Sequence, residues 1–430
     1  MGKLGWFSRR SWLVVLFALL LASCGGGGGD GGAPKLIGVD DVNARSQAPR
    51  SPPPGGFQQL VAFGDSLSDD GAYTLAAVLY YATHGKPWFR SWPYTWGGQF
   101  SVNGTGAPIN WTDQLAAALG LTLTPNLVGF GLLNSESYML TNGLTTTDPA
   151  QAQCAFGRTP GEPVPNCTNF AQGGSRVTNP NGIGHQPDPA TGTWALTYPV
   201  SRQLQNYLAQ FGGFNAQQLV TLLAGNNDIF IAAKTVQDFR DSHPGEPLQP
   251  VIQQAQADIG AAADQLADQA RQILDHGASY LVVYTLPDSA WTPRGQDWRR
   301  GAGCNPHDAS QDCFLLSDLS QLFNQRLSAD LFGLPVKMVD GYALFNRMVV
   351  SPAAFGLSNV VTPWCDPGPT LTQPTSSLLC NVETPNSAYG ANADNLDTWL
   401  FADEVHPAPG GQRAISQASQ NALRGFGWIS

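Results

Sequence analysis

The chain has 430 residues, a formal net charge of −10 and charged side chains at only 13% of positions. With no cluster of Lys or Arg, so acidic a chain repels a phosphate backbone, which excludes nucleic acid as a partner on electrostatic grounds. The abundance of Gly, Pro and Trp against few charges fits a rigid, loop-rich exported protein rather than a cytosolic one.

The N-terminus predicts a leader. Lys3, Arg9 and Arg10 form a basic head, Trp12 to Ala22 an apolar core, and Leu21-Ala22-Ser23-Cys24 its end. That core is too short to span a bilayer, which takes ~20 helical residues, so residues 1–23 read as a signal peptide. The Leu-Ala-Ser-Cys ending resembles the bacterial lipobox, making Cys24 the expected lipidated residue; an ordinary secretory signal that happens to hold a cysteine is the alternative. Ser8-Arg9-Arg10-Ser11-Trp12-Leu13 partly matches a twin-arginine motif, so both export routes stay open. Loss of the three basic residues with the leader takes the net charge to −13. Residues 24–56, rich in Gly, Pro and Ala, are expected to be a flexible tether. Residues 57–430 read as one domain, with no membrane barrel expected after it. The expected address is the periplasmic face or cell surface, through a lipid anchor in the outer membrane, or secretion.

Within the domain, Gln59 to Phe63 reads as a strand and Ala72 to Ala82 as a helix. A second helix starts at Trp111, with Thr112 or Asp113 as its cap. Helical stretches follow over Val200 to Phe211, Pro250 to Gly277, Leu315 to Leu331 and Pro409 to Arg424. In the longest, Ile252, Ala255, Ile259, Ala263, Leu266, Ala270 and Ile273 keep an apolar face at three-to-four spacing. Short continuous apolar runs at Gln218 to Leu223, Tyr280 to Leu286 and Val336 to Val339 fit parallel strands buried on both faces. Strand and helix alternate, which predicts a doubly wound α/β sheet with its ligand site at the carboxyl ends of the strands.

Six further cysteines fall as Cys154/Cys167, Cys304/Cys313 and Cys365/Cys380, at separations of 13, 9 and 15 residues. Close pairs of this kind suggest disulfides that staple loop insertions. A metal site is the rival reading, but no CxxC and no histidine at ligand spacing accompanies them. No metal and no cofactor is expected.

Four blocks carry groups that could do chemistry, each at the end of a predicted strand or near the C-terminus. Gly64-Asp65-Ser66-Leu67 breaks the first apolar run and lifts a hydroxyl onto a turn. Asn169-Phe170-Ala171-Gln172-Gly173-Gly174 supplies backbone N–H groups that a substrate can approach closely. Gly225-Asn226-Asn227-Asp228 follows the second strand, and Asp403-Glu404-Val405-His406-Pro407 sets a carboxylate three residues before a histidine. Each alone has a bland reading as a helix cap, a turn or a surface loop. Together they supply a nucleophile, a base, an orienting acid and amide donors, the parts an inert serine needs before it can attack a carbonyl.

These blocks, in this order, resemble those of the GDSL or SGNH hydrolases: Phe63 to Ser68, Asn169-Phe170-Ala171-x-x-Gly174, Gly225-x-Asn227-Asp228 and Asp403-x-x-His406-Pro407. The stretch from Phe100 to Gly104 and on to Trp111 is similar to the family's segment after its first helix. The resemblance runs from about Phe57 to Arg424 and implies a three-layer α/β/α sandwich on a mostly parallel, flavodoxin-like sheet. It further implies a carboxylic ester hydrolase without cofactor. Ser66 would be the nucleophile, His406 the base and Asp403 its orienting acid, with Ser66 N–H, Gly174 N–H and the Asn227 amide as the oxyanion hole. A slide of one residue would make Gly173 the donor. An acyltransferase, or a deacylase of carbohydrate or aryl esters, would use the same machinery, and a non-catalytic lipoprotein is a third reading. Expected partners are an ester substrate and, through Cys24, a membrane. The cysteine-bearing insertions around Cys154, Cys304 and Cys365 depart from the family pattern. Trp88, Trp92, Trp96 and Trp111 are read as either pocket or packing, Asp65 as ordering its turn, and His84, His185, His243, His276 and His307 as solvent-facing or structural.

Overall fold

The computed structural model describes residues 36–73, 98–105, 109–126, 167–187, 194–297, 303–309, 311–365 and 377–430. Strand β1 (Gln59–Gly64) is buried from Leu60 onward, and β4 (Gln218–Leu223) and β5 (Tyr280–Tyr284) are buried throughout, the burial that covering a sheet on both faces produces. They pair in parallel with β6 (Lys337–Val339) in the order β1-β4-β5-β6, Gln59 opposite Gln218, Leu219 opposite Tyr280 and Val282 opposite Lys337. Beyond β1 two extended segments continue the sheet through single parallel bridges. Ala62 N–H donates to Thr168 C=O and Phe170 N–H to Ala62 C=O, then Asn169 N–H donates to Thr124 C=O and Asn126 N–H to Asn169 C=O. A two-residue hairpin, β2 (Gln186–Pro187) with β3 (Trp194–Ala195), stands apart.

Helices α3 (Val200–Phe211), α4 (Asn226–Ser242), α5 (Gln249–Asp275) and α6 (Cys313–Leu331) pack on one another over one face. Helices α2 (Trp111–Ala118) and α8 (Pro409–Gly425) pair over the other, α8 touching α7 (Gly341–Val350) as well. Along β5 alternate side chains face alternate layers. The Tyr284 ring lies 4.9 Å from that of Trp111 and its hydroxyl donates to Ser419, while β1 sends Phe63 against Tyr207 of α3. This is the doubly wound, three-layer α/β arrangement of the SGNH type.

Two expectations change here, and one open alternative closes. Asn110, not Thr112 or Asp113, caps α2, its side chain accepting Thr112 N–H at 2.9 Å. The stretch 24–56 is not a tether throughout: α1 (Val39–Arg45) buries Val42, and Asn43 exchanges two hydrogen bonds with the Met338 backbone on β6. Farther along, Pro49 C=O accepts from Trp428 Nε1 and Ser51 C=O from Tyr280 Oη, so the segment is docked on the sheet and the C-terminus. Trp111 is wholly buried against β5 and belongs to the core. Trp88, Trp92, Trp96, His84, Cys24, Cys154 and all but the first two residues of the helix expected over Ala72 to Ala82 lie outside the described residues. Disulfides join Cys304 to Cys313 and Cys365 to Cys380, with Cα atoms 6.1 and 5.8 Å apart. Cys167 is also disulfide-bonded.

Candidate active site

Ser66 sits two residues past the end of β1. The strand can pass so close to β4 only because position 64 is glycine: a Cβ there would lie 2.2 Å from Leu223 C=O. Asp65 orders the turn that follows, its carboxylate accepting Leu67 N–H and the Asn226 amide. Gln203 of α3 grips both the N–H and the C=O of Gly64. Ser66 is thus held by buried bonds on either side while its own N–H meets no acceptor among the described residues.

His406 reaches Ser66 from the far end of the chain. Its Nε2 stands 2.8 Å from Ser66 Oγ, and its Nδ1 2.7 Å from Asp403 Oδ2. The Asp403 carboxylate also accepts backbone N–H groups from Val405, His406 and Ser377, at 2.8, 2.7 and 2.8 Å. Burial pushes Asp403 up, but the adjacent imidazole and these N–H bonds outweigh it and hold the acid at about 2. A backbone bridge between Phe401 and Pro407 closes the loop, and the Phe100 ring packs 4.8 Å from the imidazole. Neither Ser377 nor Phe100 was marked in the sequence as part of this site. Ser377 carries no signal beyond its place just before Cys380, and Phe100 only its place in the stretch ahead of Trp111.

The two glycines of the second block differ. Gly173 N–H is taken by Asp69 Oδ2 at 2.8 Å, whereas Gly174 N–H faces no acceptor among the described residues. Position 174 admits only glycine, with φ of +76° and Ile183 C=O 2.0 Å from where a Cβ would stand. Asn227, in the first turn of α4, gives one amide hydrogen to Ser175 C=O at 2.8 Å and keeps its second. Arg176 pairs with Asp228 at 2.7 Å and so ties the glycine loop to the start of α4.

Ser66, Gly174, Asn227, Asp403 and His406 all line one cleft of about 660 Å³ at the carboxyl end of the sheet. Leu67, Phe100, Phe230, Leu344 and Phe345 make much of its wall apolar. A family profile described as GDSL-like Lipase/Acylhydrolase matches residues 60–419. The chain belongs to the GDSL-like lipase/acylhydrolase family. Among GDSL relatives, it is 27% identical to Esterase EstA of Pseudomonas aeruginosa over 88% of this chain and 48% of that protein. It is 24% identical to a GDSL esterase/lipase of Arabidopsis thaliana over 58% of each chain. An uncharacterized protein of the trpE-trpG intergenic region in Pseudomonas putida is 26% identical over 88% of this chain and 50% of its own. The chain spans about half the length of these curated relatives.

Among the described residues of this GDSL-family chain, His406 alone of the histidines lines the cleft. His185 bonds the Leu196 carbonyl through Nδ1, and His243, His276 and His307 are exposed. Among the described residues no cluster of His, Cys, Asp and Glu is arranged to hold a metal ion.

Proposed function

We propose that the chain is a carboxylic ester hydrolase working through an acyl-enzyme on Ser66. The observation that carries this reading is the unbroken hydrogen-bonded chain from Ser66 Oγ through His406 to Asp403, at 2.8 and 2.7 Å, opening into a cleft. His406 Nε2 takes the Ser66 proton as Oγ attacks the ester carbonyl, and returns it to the departing alcohol. Asp403, ionised, holds the proton on Nδ1 and stabilises the imidazolium that forms. The tetrahedral oxyanion is received by Ser66 N–H, Gly174 N–H and the free hydrogen of the Asn227 amide. Water activated by the same imidazole then releases the acid. The apolar wall of the cleft favours an ester with an apolar acyl group, and the family membership and the relatives named esterase support the same chemistry.

Hydrolysis of p-nitrophenyl esters with acyl chains from two to sixteen carbons tests this, with Ser66→Ala as control. Activity that survives the substitution overturns the reading. We further propose export and lipid anchoring at Cys24, supported by the leader-like N-terminus and the disulfides. Radiolabelled palmitate entering the parent chain but not Cys24→Ser would bear this out; no incorporation into either sinks it.

A further inference from the structure

A Gly-Gly peptide has no preferred orientation of its own, because neither residue has a Cβ to restrict rotation about it. In Gly173-Gly174 that freedom matters: the Gly173 C=O and the Gly174 N–H belong to one planar trans unit and point in opposite directions. A flip of this unit would aim a carbonyl oxygen where the oxyanion forms. Two neighbours prevent it. Tyr73 Oη donates to Gly173 C=O at 2.8 Å, on the side of the peptide opposite the Gly174 N–H. Asp69 Oδ2 accepts the Gly173 N–H at 2.8 Å, fixing the preceding peptide plane, while its Oδ1 accepts the N–H groups of Gly71 and Ala72. Tyr73 is 6% exposed and Asp69 wholly buried, so water does not substitute for either bond. Burial also pushes the Tyr73 phenol up, which keeps its proton in place as a donor.

We propose that Tyr73 is a positioning residue of the reaction: with Asp69 it clamps the Gly173-Gly174 unit in the orientation that presents Gly174 N–H to the developing oxyanion. The proposal rests on the reading of Ser66 as nucleophile and Gly174 as donor. It adds that the turn after the nucleophile, which carries both Asp69 and Tyr73, sets the geometry of the oxyanion hole. A bond from Tyr73 to the carbonyl further polarises the peptide and strengthens its N–H as a donor.

Tyr73→Phe removes only the hydroxyl. On p-nitrophenyl butyrate, kcat per titrated active site is expected to fall about tenfold while KM stays within about twofold, because the lost alignment acts on the transition state. Affinity for butylboronic acid, which forms a tetrahedral adduct on the serine, is expected to fall by the same factor. Tyr73→p-aminophenylalanine, which keeps a donor on the ring, is expected to restore both, and it decides the matter where Tyr73→Phe fails to fold. A Tyr73→Phe enzyme with parental kcat and boronate affinity overturns the proposal, as does a fall in kcat with unchanged boronate affinity. Ser66→Ala separates the two levels. If it is inactive and Tyr73→Phe is parental, the clamp alone is wrong; if it is active, the hydrolase reading falls with it.

Discussion

The strand-end turn around Ser66 and the loop that carries Asp403 and His406 meet across a single 2.8 Å bond, yet they treat buried carboxylates in opposite ways. Asp69 and Asp403 are both fully buried and each accepts three backbone N–H groups. Burial nevertheless pushes Asp69 up to about 7, while Asp403 is held at about 2. What differs is the imidazole in direct contact with Asp403. Three N–H dipoles alone do not offset the loss of water around a carboxylate; a partner able to carry positive charge does. Asp65, pushed by burial to about 6, and Asp113, also pushed up by burial, follow Asp69. The two sides also differ in construction. The Ser66 side hangs from strand ends, whereas Ser377, which braces Asp403, lies within the Cys365–Cys380 insertion, tied down by Asn103 through the carbonyls of Ser377 and Cys380.

Cutting the link between the two sides has the largest expected effect. Ser66→Ala and His406→Ala are each expected to lower kcat by about 10⁴-fold or more with the melting temperature largely retained, and Asp403→Asn by a similar factor, since the amide favours the wrong imidazole tautomer. Next comes Asn227→Ala, which removes one of the proposed oxyanion donors and is expected to cost about 10²–10³ in kcat. Parental kcat in that variant would take Asn227 out of the oxyanion hole.

The constructional difference predicts unequal roles for the disulfides. Cys365→Ser with Cys380→Ser is expected to destabilise the fold by about 3 kcal/mol and to reduce kcat several-fold, because Ser377 loses its anchor. Cys304→Ser with Cys313→Ser is expected to lower stability by a similar or smaller amount and leave kcat close to parental. Equal effects on kcat would mean that the insertion does not brace the acid.

The smallest expected effect is in the pH dependence of stability. Asp65 and Asp69 hold protons in the fold that the unfolded chain, with carboxyls near 4, releases; their side therefore loses stability as pH rises from about 4 to 7. Asp403 behaves in the reverse sense. Its contribution is present above about 4 and is lost as pH falls toward 2. Melting temperatures should decline from pH 5 to 7, less steeply in Asp69→Asn, and drop again below pH 4, less steeply in Asp403→Asn. A melting temperature that climbs steadily from pH 5 to 7 contradicts the protonated state of Asp65 and Asp69 on the Ser66 side.

Much of this was legible locally. A continuous apolar run marks β4, and apolar residues spaced along one stripe mark the helices Val200–Phe211 and Pro409–Gly425 nearly to the residue, because burial on both faces or along one stripe leaves its own trace. Helices α4 and α7 leave no such clear trace: α4 opens with Asn-Asn-Asp inside a motif, and its polar residues blur the apolar stripe. The seven residues of α1 carry little helical signal either, and their place depends on Val42 and Asn43 finding β6 almost 300 positions away. Separation in sequence, by 26, 100 and 306 positions, likewise hides Ser377 from Asp403, Tyr73 from Gly173 and Phe100 from His406.

Short-range patterning is enough to place the four parallel strands and the longer amphipathic helices, and it carries the serine and the two adjacent glycines near strand ends and the histidine of the C-terminal loop, because these depend on local spacing and on where glycine is tolerated. Which glycine N–H is occupied and which is open, which acid is held ionised, and what braces each are set by the folded arrangement. Those outcomes depend on desolvation and on hydrogen bonds between residues far apart in the chain, for which no local pattern carries a trace.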